Sequence, residues 1–192
     1  MKNSNSNTLA KYISDMLAVE QHFIETLKIE EYDDQLKRFP EAKQEILRLR
    51  AMTEEHMSAL DTLLRDFDGA GRSVLKEMVT SVTGVTMGAA ARLRKHSTSK
   101  ILRDAYATLS LHAIGYTMLH TTGLALGSPP TAELALAHLK NITAMIIEIS
   151  HSIVPVVAAE LSEDHLIDAS SVVLAIENTQ EAWRHPDPVA AY

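Results

Sequence analysis

No cysteine occurs among the 192 residues, which excludes disulfides, thiolate zinc sites, iron–sulfur clusters and a cysteine nucleophile. A metal in this chain would have to be held by His, carboxylate or Tyr. Glycine (7) and proline (6) are scarce and aromatics make up only 5%. No Gly-x-Ser-x-Gly elbow, Walker loop or dinucleotide-binding glycine loop is present. The sequence also lacks a net basic balance: its formal charge of −7 argues against a general phosphate-backbone binder, which needs cations to release counterions. No nucleic-acid partner is expected. The polar start, Met1 to Thr8, lacks the apolar stretch of a signal peptide, and this points to a cytoplasmic protein. The longest greasy run, Ile142 to Leu161, contains Glu148, His151 and Pro155 and reads as a bundle helix, so no membrane partner is expected.

What is present is a helix former's alphabet. With 46% hydrophobic residues and Ala, Leu, Ile, Met, Glu and Lys dominating, the composition predicts an all-α fold of one domain. Residues 1–7 are expected to be a disordered leader, 8–184 the helical domain and 185–192 a tail. A first helix is predicted from Thr8 to about Gln35, with Leu9, Ile13, Met16, Glu20, Phe23 and Leu27 at three- and four-residue steps. Asp33 to Pro40 forms a turn, and Pro40 opens a second helix to about Phe67 whose inward stripe includes Ile46, Leu49, Met52, Thr53, His56, Leu60 and Leu63.

Asp68-Gly-Ala-Gly71 breaks that helix, and an apolar connecting helix is predicted from Ser73 to about Leu93. The basic cluster Arg92, Arg94, Lys95, Lys100 and Arg103 reads as a solvated loop. Ser97-Thr98-Ser99 supplies cap candidates for a third long helix reaching Leu126, with Tyr106, Leu109, His112, Tyr116 and Leu119 on one face. Gly127-Ser-Pro-Pro130 stops it. A fourth helix starts near Pro130 with Leu139, Ile142, Met145, Ile146, Ile149 and Ile153 as its core stripe and Pro155 as a kink or break. Ser162-Glu-Asp-His165 opens a fifth helix to about Trp183.

Four polar residues fall on the apolar faces of the four long helices. Glu20 and His56 are 36 residues apart, and so are His112 and Glu148. Both halves align at one offset of 92, which pairs Glu20 with His112, Thr53 with Met145 and His56 with Glu148. The pattern suggests an internal duplication. Tyr116 and His120 are placed to donate hydrogen bonds into the same centre, while Met16, Met52, Met118 and Met145 fall at core spacing. Glu148-Ile-Ser-His151 is a literal Glu-x-x-His but lies one turn too late in the alignment, so His151 reads as peripheral.

On these residues the chain resembles the ferritin-like superfamily, and within it the bacterial stress-associated YciF-like group, over about residues 8 to 161. The resemblance implies a four-helix bundle with a long crossover carrying an extra helix, plus a C-terminal fifth helix, and a homodimer in place of a cage. It also implies a site in which each helix pair supplies a carboxylate on its first helix and Glu-x-x-His on its second. Glu20 matches the first acid and His56 the first imidazole. His112 stands at the second acid and Glu148 at the second imidazole, while Thr53 and Met145 replace both bridging Glu positions. Without anionic bridges two adjacent cations repel, so the set left, Glu20, His56, His112 and Glu148, implies no more than one divalent metal, Fe, Mn or Zn. The alternative is that these groups satisfy one another without metal and the chain is an interaction module or homodimeric structural protein.

Overall fold

A computed structural model describes residues 2–67 and 97–185 of the chain. The connecting helix expected over 73–93, with Arg92, Arg94 and Lys95, and the tail from 186 lie outside the described residues. Five α-helices occur among those described: α1 (Lys2–Glu30), α2 (Pro40–Arg65), α3 (Thr98–Ala125), α4 (Pro129–Leu161) and α5 (Ala169–Arg184). The protein is all-α, and α1 with α2 and α3 with α4 pack as two hairpins of one bundle.

Each boundary has a local cause. The first helix begins at Lys2, so the segment expected to be a disordered leader forms its opening turns instead. After α1 the carboxylate of Asp33 accepts from the Gln35 backbone N–H at 2.8 Å, a single 3-10 turn (Leu36–Arg38) follows, and Pro40, whose missing donor is harmless at a first helical position, starts α2. Helix α3 ends in a Schellman arrangement: Gly127, at φ +71, lets Ser128 N–H donate to Gly123 C=O at 2.8 Å and its own N–H to Leu124 C=O at 3.2 Å. The hairpin into α4 is therefore only three residues long. Pro155 neither breaks nor ends α4, which runs on to Leu161. The fifth helix starts later than expected, at Ala169, because Asp168 is its N-cap and accepts from Ser170 N–H at 3.0 Å.

The start of α3 is capped from elsewhere. Ser97 makes no side-chain cap bond. Instead the carboxylate of Glu160, on the last turn of α4, accepts from the Ser99 backbone N–H at 3.0 Å and from the Ser99 hydroxyl. An anion at a helix N-terminus satisfies otherwise orphaned donors and complements the macrodipole.

Side-chain contacts give the directions of the four long helices. Glu20 meets His56 and Glu31 meets Arg50, so α1 and α2 are antiparallel. Along α2 and α4, His56 stacks on His138, Arg48 pairs with Glu148 and Glu45 bonds Ser152, again antiparallel. Helix α3 runs against α1, with Glu20 beside His112 and Gly115 against Met16, and α4 runs against α3. All four neighbours in the ring are thus antiparallel. As a result Phe67, after α2, and Ser97, before α3, lie at opposite ends of the bundle, about 39 Å apart for 26 residues of helix.

A continuous core of Leu, Ile, Ala, Phe and Met fills the interior, from Leu27, Leu36 and Leu102 at one end to Leu60, Leu64 and Leu119 at the other. Where α3 and α4 come closest, a Cβ on Gly123 would lie 2.7 Å from the backbone N and 3.0 Å from the Cα of Ala132. Those atoms belong to the backbone and cannot swing aside. Gly123→Ala gains about 1 kcal/mol of helix propensity, yet forcing the helices apart costs more, and we expect a net loss of about 1–2 kcal/mol. Denaturant unfolding checks this, and a stabilised variant would refute the contact.

Candidate functional site

One buried polar cluster sits midway along the bundle, where all four long helices contribute. Glu20 on α1 is buried on the core stripe between Met16 and Phe23. Its Oε1 accepts from the Tyr116 hydroxyl at 2.6 Å and lies 3.2 Å from His56 Nδ1. Its Oε2 lies 3.4 Å from His112 Nε2, close enough for strong attraction in a buried site. His138 on α4 stacks on His56 with ring centroids 3.8 Å apart and planes 13° from parallel, and presents its face to the edge of Tyr116 at 5.1 Å.

The partners assign the protons. His112 Nδ1 is 2.7 Å from the Thr108 carbonyl, which can only accept, so Nδ1 carries a proton and Nε2 is the nitrogen that faces the Glu20 carboxylate. His56 Nδ1 faces Glu20, and its Nε2 lies 3.5 Å from the Asn141 amide nitrogen.

Acidities follow from this arrangement. Burial alone would raise the Glu20 carboxyl, but hydrogen bonding from His112, His56 and Tyr116 outweighs it and holds Glu20 at about 2. Tyr116 is pushed well above its ordinary value by burial and by the adjacent Glu20 charge. His138 is lowered to about 4, by burial first and by His56 second, with Glu20 acting against both.

Of the four residues expected at the centre, the structure brings together three, Glu20, His56 and His112. Glu148 is not among them. Its side chain is 43% exposed and pairs with Arg48 at 2.8 Å on the bundle surface. The reason is a slip in the internal alignment. Between α1 and α3 the offset of 92 holds, since Leu9 and Ile101, Ile13 and Ala105, Glu20 and His112, and Leu27 and Leu119 are all buried pairs. Between α2 and α4 the buried pairs are Ala42 and Ala135, Glu45 and His138, Leu49 and Ile142, His56 and Ile149, and Leu63 and Val156, an offset of 93. One residue rotates a helix position by about 100°, which carries Glu148 out to solvent and puts Ile149 inside.

Thr53 and Met145 are buried as expected, but the Thr53 hydroxyl donates to its own helix at Leu49 C=O, 2.8 Å away, and has no role at the centre. Tyr116 reaches the site; His120 does not, its Nδ1 lying 2.8 Å from the Ala132 carbonyl near the α3–α4 turn. His151 is exposed. Sequence reasoning missed His138 and Asn141. The heptad Ala135, His138, Ile142, Met145, Ile149 carried the signal, but α4 is so apolar that a stripe rotated toward Leu139, Ile146 and Ile153 looks equally good.

His56 and His138 cannot ligate the same cation. Imidazole binds a cation in the plane of its ring, and two stacked, nearly parallel rings have no common point in both planes. Glu20 Oε1 is already engaged by two donors, and Glu148 is remote. Among the described residues no group of three or more His, Asp or Glu is arranged to hold an ion. Comparison with known proteins finds no matching family model, no matching curated protein and no matching solved structure.

Acid should dismantle the cluster in two steps. His138 has a folded value of about 4 against an ordinary 6.5, so its contribution is complete above pH 6.5 and is lost as pH falls toward 4. Glu20, at about 2 against 4.5, contributes fully above pH 4.5 and fades toward pH 2. Glu20→Gln should lose roughly 2–3 kcal/mol at pH 7 and flatten the lower limb of the stability profile; His138→Gln should flatten the upper one. Urea unfolding across pH 3 to 8 reads both, and parallel profiles for wild type and Glu20→Gln would contradict the assignment.

Proposed function

We propose that this chain is a ferritin-like helical bundle whose centre is a self-neutralised Glu–His–Tyr cluster in place of a metal centre, and that it acts as an interaction protein. The ferritin-like topology is supported by the helix directions. Helix α2 ends and α3 begins at opposite ends of the bundle, the arrangement that distinguishes such folds from up-down-up-down bundles. The single observation that carries the metal-free reading is the stacking of His138 on His56 beside a Glu20 whose Oε1 already serves Tyr116 and His56. A buried carboxylate given that many protein donors is neutralised by the fold itself.

A second reading keeps one divalent cation, Fe²⁺, Mn²⁺ or Zn²⁺, on Glu20, His56 and His112. One observation favours it: N···O separations of 3.2 and 3.4 Å are close to the ligand–ligand spacing of a tetrahedral shell with bonds of about 2.1 Å. It needs a fourth donor in a position where the chain offers a stacked imidazole.

Elemental analysis separates the two. Untagged protein purified without chelator, and again after anaerobic loading with each cation, is expected to carry only trace metal, with a thermal midpoint indifferent to chelator. Near one metal per chain, absent from a Glu20→Ala/His112→Ala variant and accompanied by a raised midpoint, would overturn the proposal.

A further inference from the structure

Helix α5 lies in the seam between α3 and α4. It touches α4, and Trp183 in its last turn packs edge-on against Tyr106 of α3, with ring centroids 6.2 Å apart, so after residues 162–168 the chain runs back along the bundle. Tyr106 belongs to an outward line on α3, Ser99, Tyr106, Ala113, Thr117 and Leu124, spaced by four- and seven-residue steps. Ser99 already bonds Glu160 of α4, so this line borders that helix. The matching outward line on α4 is Val154, Ile147, Lys140 and Leu136, at the same steps. Helix α5 ends at Arg184, one residue past its contact with Tyr106. Beyond that level the seam lies open among the described residues: Ile147 is 52% and Leu124 63% exposed, and Leu136 is exposed as well. Met118, which the sequence pattern assigned to the core, is also half exposed on the outward side of α3.

The open stretch carries a single charge. No Lys, Arg, Asp or Glu occurs from Ala105 to Ala132, and between Glu133 and Glu148 there is only Lys140, which is exposed and forms no ion pair with a described residue. The hydroxyls of Ser110, Thr117 and Thr143 donate to carbonyls of their own helices, so these side chains add little polarity to the seam. A segment suited to it is apolar and carries one carboxylate where Lys140 stands. The residues that follow His185 have that composition: Pro186-Asp187-Pro188-Val189-Ala190-Ala191-Tyr192.

Length supplies the register. Tyr116 lies opposite His138, which sets Lys140 level with Ile114, about 12 Å along α3 from Tyr106. Asp187 follows Trp183 by four residues, and a chain rich in proline can span about 12 Å over that distance. The same rise brings Val189 level with Leu136 and Tyr192 level with Leu124. We infer that the α3–α4 seam beyond α5 is a docking groove for this chain's own residues 186–192, with the Asp187 carboxylate on the Lys140 ammonium and Val189 to Tyr192 over Leu136 and Leu124. Covalent attachment to α5 gives the segment an effective concentration on the order of millimolar at the groove, so a contact too weak to hold a free peptide suffices. Pro186 and Pro188 restrict the chain beforehand and reduce the entropy that docking costs.

The test uses the full chain carrying a nitroxide on Ala191→Cys, a unique thiol because the sequence has no cysteine. The label should broaden the backbone amide signals of Leu124, Leu136 and Lys140 severalfold more than that of Glu54 on the charged side of α2, and dilution should not change this contrast. Asp187→Lys should abolish it, and Lys140→Glu/Asp187→Lys should restore it, with helical circular dichroism unchanged throughout. Equal broadening at Leu136 and Glu54, or a contrast that survives Asp187→Lys, overturns the inference. So does broadening of an isotope-enriched wild type by an added spin-labelled chain, which would assign the groove to a neighbouring copy. Phosphatidylcholine vesicles that shift the Lys140 and Ile147 signals while the label has no effect would assign the seam to lipid and overturn it as well. None of these variants touches Glu20, His56 or His112, so metal analysis decides the reading of the central cluster separately.

Discussion

A carboxylate buried to 1% exposure is the constraint around which the bundle is organised. Removing such a charge from water costs several kcal/mol even after relaxation, and a single partner rarely compensates. Glu20 draws on three: His56 from α2, and His112 and Tyr116 from α3. His138 from α4 then packs on His56. Four helices are pinned at one height by groups that meet in the middle of a largely apolar interior. Sliding any helix by a turn would leave a charge unpaired, a far larger penalty than repacking Leu against Ile. The cluster therefore specifies register, while the apolar core supplies the bulk of the burial.

Most of the architecture was legible in hydrophobic spacing. The four long helices, the break after α2, the proline starts and the Gly127 stop all follow from local rules that tertiary context did not override. The ends were less legible. A polar stretch such as Lys2 to Asn7 continues a helix when an adjoining hydrophobic run already nucleates it, and Ser97 lost its capping role to Glu160, which lies 61 residues beyond the Ser99 it caps. At the site, the positions on α1, α2 and α3 were readable because each stands as a lone polar residue on a greasy stripe. Helix α4 has greasy residues all round, so its pattern left rotation undetermined by about one residue. That single step exchanged Glu148 for Ile149 and hid His138.

The contrast between the two hairpins bears on how such a protein works. One is a charged, solvated surface with ion pairs such as Arg50 with Glu54 and Arg65 with Asp61. The other exposes branched aliphatic side chains over a stretch free of charge. The polar cluster lies between them, buried, with the exposed Asn141 beside His56. A centre so enclosed is suited to holding helices in place, and the outward faces are left to meet other molecules.

Glu160 ties together two chain segments that are distant in sequence. Because the last turn of α4 supplies the acceptor for the first turn of α3, neither end can fray alone: unwinding the α4 terminus strips α3 of its cap, and loosening Ser99 leaves the Glu160 carboxylate without its donors. The two termini behave as one cooperative unit of local opening. The backbone amides at the start of α3 then exchange with solvent at a rate governed by a helix that begins some thirty residues later in the chain, and both ends stay closed or open together.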